Sequence, residues 1–282
     1  MRSLDGVTEH SNVESGKLQP GADVVAEGQS RAEADAEADD GHRHGNFKHY
    51  YEFHNASAER FKGILPGSFR RMWLTLDQPD TFTVLDVGSN EGDLTVELLR
   101  LVQAELPGVR CVAYGLDFDS ALVEVAKCRH QHNPHVDFFV FDVMTENNMD
   151  KFLMARGLVG RVSLVACLRV SMWVHLNYGN EGLTRLLSLL GGATSCALAL
   201  DPQKLSYYKK ACSRNAKLGK PPFPYALEDL SVSDDLPTWC LRYFREEYQL
   251  TTLLHKDISK WGGTLLCMMR ETVETITSNT DI

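Results

Sequence analysis

No apolar run in this chain approaches the roughly 20 residues that a membrane-crossing helix needs, which excludes a transmembrane span. The first thirty residues contain no apolar core segment, so no secretory leader is expected. There is no C-x-x-C pair, and the seven cysteines are scattered and odd in number. That excludes a zinc ribbon and a disulfide framework and points to a reducing, cytoplasmic setting. Aromatic residues are missing altogether before His42.

What the first 41 residues do hold is acid: ten Asp and Glu against three Lys and Arg, which is −7 of the total net charge of −9. With little to bury, residues 1–41 are expected to be an acidic disordered tail. The remainder, 42–282, is then nearly neutral and of single-domain size. Its bases are gathered: Lys204 to Lys220 carries six Lys and Arg and no acid, with Tyr207 and Tyr208 between them. A solvated helix face accounts for such a run. So does a surface for the phosphates and bases of a nucleic acid, in which Lys209, Lys210 and Arg214 would be contacts.

Apolar runs at Thr83–Val87, Cys111–Leu116, Val136–Phe141, Arg161–Leu168 and Thr194–Leu200 alternate with helical patterns such as Leu94–Val102, Leu122–Arg129 and Gly182–Leu190. That alternation predicts a parallel α/β sheet covered on both faces. Leu250–His255 and Gly263–Arg270 follow each other closely and predict an antiparallel pair at one edge. Five βα units and a terminal hairpin predict a Rossmann-like, seven-stranded methyltransferase fold.

The first strand end reads Asp86-Val87-Gly88-Ser89-Asn90-Glu91-Gly92-Asp93. A dinucleotide fingerprint would need glycine at 90 and 93, so a nicotinamide or flavin is disfavoured. Gly88-x-x-x-Gly92 after an acid-bearing strand instead suits the methionine half of S-adenosylmethionine. Asp117 closes the second run, where a carboxylate accepts from ribose hydroxyls. Asp142 closes the third, where it accepts from an adenine amino group while the Val143 N–H serves the ring. Each acid alone could equally be a helix cap; three in a row weigh toward the cofactor.

Trp173-Val174-His175-Leu176-Asn177-Tyr178-Gly179-Asn180-Glu181-Gly182-Leu183 resembles a block of the Bicoid-interacting-protein-3 family of RNA methyltransferases. Gly45-Asn46-Phe47-Lys48-His49-Tyr50-Tyr51, the Asp86–Gly92 loop and Asp201-Pro202-Gln203 are similar to further family segments, so the likeness spans about 45 to 277. It implies methyl transfer from S-adenosylmethionine to the 5′-monophosphate of a small RNA, with histidine tRNA and a microRNA precursor as substrates. By the same likeness Arg60 would hold the cofactor carboxylate, with Gly88, Asn90, Gly92, Asp117, Asp142, Val143 and Leu168 lining the rest. Residues 42–76 would cover cofactor and substrate, and 204–238 would form a substrate-side insertion. Four positions depart from the family pattern: Ser89 for Cys, Ser163 for Asp, Arg169 for a small hydroxyl residue and Leu205 for Trp.

Methyl transfer is an in-line displacement governed by proximity and alignment. A phosphate oxygen is already anionic, so no general base is required. His49, Tyr50, Trp173 and His175 are expected at the reacting centre, and Lys48, Tyr51, His54 and Asn177 at the acceptor. His42, His44, His49 and His54 match no zinc spacing, and no metal is expected. RNA is the expected partner, the protein a monomer, and no membrane is involved. The rival readings are capping of a 5′-triphosphate RNA at its γ-phosphate, a small-molecule or protein methyltransferase, and a catalytically silent RNA-binding module.

Overall fold

The computed structural model describes residues 44, 45, 67, 70, 73, 74, 80–230, 235–258 and 263–270. The expected tail, 1–41, lies outside the described residues, as does nearly all of the expected covering segment, 42–76.

The core is a seven-stranded sheet in the order β3-β2-β1-β4-β5-β7-β6. Its strands are β1 (Thr81–Val87), β2 (Arg110–Asp117), β3 (Val136–Val140), β4 (Val162–Leu168), β5 (Thr194–Asp201), β6 (Leu250–Ile258) and β7 (Gly263–Arg270). The first five are parallel; β7 lies antiparallel between β5 and β6. All seven coincide with the apolar runs of the sequence. The central strands are apolar almost throughout because both faces are covered. Phe82 and Val84 of β1 face one layer; Leu85 and Val87 face the other.

The helices are α1 (Asp93–Glu105), α2 (Ser120–His130), α3 (Asn148–Ala155), α4 (Ser171–Ala193), α5 (Leu205–Lys217) and α6 (Leu236–Tyr248). Of these, α4 begins eleven residues before the helix expected at Gly182 and is interrupted at Gly179, with φ 68° and ψ −166°. A Cβ there would lie 2.7 Å from the Tyr225 ring, so glycine answers both the backbone and the packing. The expected 204–238 insertion is α5 plus a loop, and it runs into the sheet-covering α6. Under α5, Met172, Leu176, Tyr208, Ala211, Phe223 and Leu230 form a separate small core.

Register sets the height of the strand ends. Val87 pairs with Leu116 on one side and Cys167 on the other, and Leu168 with Asp201. Gly88, Asp117, Arg169 and Asp201 therefore share one rim of the sheet. The order reverses between β1 and β4, the point where open α/β sheets bind their ligands. Ser163, at a departure from the family pattern, has a local use: its hydroxyl accepts the Thr83 N–H at 3.2 Å.

Candidate active site

The loop after β1 turns twice through left-handed backbone, at Gly88 (φ 86°) and Gly92 (φ 85°). A Cβ on Gly88 would lie 2.2 Å from Val170 Cγ2, and one on Gly92 would lie 2.5 Å from the Phe138 ring. Only glycine lets the loop sit this close to its neighbours. Asn90 also has positive φ, 52°, and its N–H donates to Asp117 Oδ2 at 2.8 Å. Asp86 fixes the other side: its carboxyl accepts the Thr95 hydroxyl at 2.6 Å, tying β1 to α1.

Asp117 is 7% exposed and accepts the Asp119 N–H on its other oxygen at 3.0 Å. The cap of α2 is Asp119, which accepts from Ala121 and Leu122. Asp117 is thus released from capping. Its two oxygens are held by backbone donors, and each has a further lone pair. Burial is the main cause that pushes its carboxyl up to about 6, and the backbone donors oppose that rise. Asp86, more deeply buried and beside the Asp117 charge, is likewise pushed up to about 6.

Asp142 differs. It is exposed, and its oxygens accept the Met144 N–H at 2.8 Å and the Thr145 hydroxyl at 3.1 Å, so it braces its own turn. Val143 and Leu168 are buried beside the same rim, at 8% and 9% exposure. The two described residues at the start of the N-terminal segment reach this rim. The His44 ring meets Phe118 at 5.0 Å between centroids, and a Cβ on Gly45 would collide with the Trp173 indole. His49, Tyr50, Arg60, Lys48, Tyr51 and His54 lie outside the described residues.

Trp173 is half-buried at the start of α4, flanked by Phe223 at 6.2 Å and the Arg214 guanidinium at 5.8 Å. Asn177 sits one turn on, its amide donating to the Trp173 carbonyl at 2.9 Å. His175 is held by side chains of other segments. Its ring is fully buried, with Nδ1 3.1 Å from the Tyr208 hydroxyl and Nε2 2.8 Å from Asn180 Oδ1. Asn180 Nδ2 donates to the Asp229 carbonyl at 3.1 Å, which makes its Oδ1 an acceptor. His175 then donates from Nε2 and accepts from Tyr208 at Nδ1. Burial holds its pKa below the ordinary histidine value, and the Asn180 bond only partly opposes this. His175 thus joins α4 to α5 and, through Asn180, to the 3-10 turn at Leu227–Asp229. Much of the block that carries the family likeness is therefore a helix kink and its bracing.

On α5, Lys209 and Lys210 are exposed, while Arg214 is half-buried against Trp173. The sequence did not single out Gln203. Its Oε1 accepts from the Ser171 hydroxyl and the Met172 N–H, both at 3.2 Å, and its Nε2 donates to the Arg169 carbonyl at 2.7 Å. Its place in the Asp201-Pro202-Gln203 segment was the one local signal. Among the described residues, no group of three His, Cys, Asp or Glu side chains is placed to hold a metal.

Residues 162–249 match the family described as Bicoid-interacting protein 3 (Bin3). A cattle (Bos taurus) protein named RNA 5′-monophosphate methyltransferase is 28% identical over 79% of this chain and 78% of its own length. A zebrafish (Danio rerio) Pre-miRNA 5′-monophosphate methyltransferase is 27% identical over 81% of this chain and 92% of its own. The U6 snRNA methylphosphate capping enzyme Amus of Drosophila melanogaster is 29% identical over 60% of this chain and 55% of its own. The matched residues 162–249 include β4 and β5 of the seven-stranded sheet that brings Gly88, Asp117 and Arg169 to one rim.

Proposed function

We propose that this protein is an S-adenosylmethionine-dependent methyltransferase acting on the 5′-monophosphate of a small RNA. The observation that carries the reading is Asp117: a buried carboxylate at the β2 end, relieved of capping by Asp119 and fixed against the glycine loop. Such a group fits the two ribose hydroxyls of a nucleoside cofactor. The names of the relatives supply the acceptor class. S-adenosylmethionine would supply an electrophilic methyl on a sulfonium. In that transfer a phosphate oxygen would gain the methyl as the C–S bond gave way, the electron pair staying with sulfur. The chain's own task is placement: Gly88 and Gly92 shape the loop, Asp117 and Asn90 fix the ribose side, and Trp173 walls the acceptor side.

A second reading, methylation at the γ-phosphate of a triphosphate RNA, is favoured by the likeness to the U6 snRNA capping enzyme. Histidine tRNA and a microRNA precursor are the substrates we propose under the first reading, with the protein a cytoplasmic monomer. Cysteine usage supports the reducing setting, five of the seven thiols being buried. Transfer of a tritiated methyl to oligonucleotides bearing one, three or no 5′-phosphates tests the proposal. Label on the monophosphate form alone is expected. Label on the triphosphate form alone would favour the second reading, and label on none would favour a silent RNA-binding module.

A further inference from the structure

Arg169 is the first residue past β4, on the rim that carries the glycine loop. It has left-handed backbone, φ 63°, which a side-chain-bearing residue adopts only at a cost in free energy. The surroundings fix it there three times. Its N–H donates to the Asp201 carbonyl at 3.3 Å, its carbonyl accepts Gln203 Nε2 at 2.7 Å, and its Nε donates to Asp201 Oδ2 at 3.2 Å. Its neighbour Val170 is the residue against which Gly88 packs. This cation is therefore rigidly placed next to the loop, with 16% of its side chain still exposed.

The Arg169 guanidinium lies 5.9 Å from the centre of the Tyr207 ring, and Lys210 Nζ lies 5.2 Å from the same centre. Both cations border the same ring, and an anion beside that ring is attracted by each of them. Asp201, 1% exposed, offsets part of the Arg169 charge. The guanidinium keeps its planar hydrogen-bonding shape while its full positive charge is tempered. Such a group can orient an anionic oxygen without strongly reducing its nucleophilicity.

We propose that Arg169 is a specificity-determining residue that reads the 5′-terminal phosphate of the RNA acceptor, with Tyr207 and Lys210 completing its site. This rests on the RNA 5′-phosphate reading above. The competing role is that of a partner for the buried Asp201 and nothing more.

The test uses the full chain as wild type, Arg169→Ser and Arg169→Gly; glycine suits the left-handed backbone and guards against misfolding. Each is titrated with one oligonucleotide in 5′-phosphate and 5′-hydroxyl forms and with S-adenosylmethionine, and KM and kcat are measured. Wild type is expected to prefer the phosphorylated form. Both variants should lose that preference, with KM for the phosphorylated RNA raised tenfold or more. Affinities for the hydroxyl form and for S-adenosylmethionine should hold within twofold. Variants that keep the phosphate preference overturn the proposal, and so does loss of S-adenosylmethionine affinity in both, which would make Arg169 a strut. A wild type that neither prefers the phosphate nor transfers methyl would instead fail the functional reading itself.

Discussion

Asp117 Oδ2 accepts the Asn90 N–H at 2.8 Å, and with the Gly88 and Ser89 N–H groups donating to the Leu116 carbonyl that bond joins the end of β2 to the glycine loop of β1. Two sequence signals 27 residues apart thereby become one site. The strand register brings them level, and the bond fixes the carboxylate's orientation before any ligand arrives.

Replacing Asp117 with Ala should weaken S-adenosylmethionine binding roughly tenfold to hundredfold, through the loss of about 1.5–3 kcal/mol of charge-assisted hydrogen bonding. The Asn90 and Asp119 N–H groups also lose their acceptor, so Asp117→Asn should be the milder change. Calorimetry on both variants checks this, and equal affinity to wild type in both would remove Asp117 from the site.

The stability contributed by Asp86 and Asp117 should fall as pH rises from near 4 to about 6. The carboxyls of Asp86 and Asp117 ionise near 3.8 in the unfolded chain but only at about 6 in the folded protein. Across that window the unfolded chain has released protons that the native state retains, which favours unfolding. Asp86→Asn keeps an acceptor for Thr95 and should flatten the decline of melting temperature over this range. An unchanged slope would place Asp86 at an ordinary carboxylate pKa.

His175→Ala should cost about 1–3 kcal/mol by leaving the Tyr208 hydroxyl and Asn180 amide without their buried partner. At about 2–4 °C per kcal/mol for a domain of this size, thermal melting will register it. S-adenosylmethionine affinity should stay within a few-fold of wild type. Normal melting with abolished turnover would place His175 at the reacting centre instead.

Changing Lys209 and Lys210 to Gln should weaken RNA binding and leave the methyl donor's affinity alone. Removing a lysine that neutralises one RNA phosphate flattens the dependence of log affinity on log salt by about 0.7–0.9. Arg214 is kept out of this test because its guanidinium packs on Trp173. An unchanged slope means that the exposed face of α5 is merely solvated.

The sequence by itself determined the sheet. Each of the seven strands announced itself as a short apolar run, the central ones most plainly, because a strand buried on both faces is apolar almost throughout, as in Val84-Leu85 or Val165-Ala166-Cys167. The glycine loop and Asp117 were legible for a related reason: positive φ and an acid at a strand end leave local marks. Helices α3 and α6, Asn148–Ala155 and Leu236–Tyr248, left weaker ones. Only the tertiary structure decided which acid caps α2, because Asp117 and Asp119 are equivalent candidates until the chain turns. It alone set His175 against Tyr208, 33 residues away. It also set Arg169 against Asp201 across two strand ends. A local pattern fixes what a residue can do; its partners come from distant segments, and the packing of those segments chooses among its possible roles.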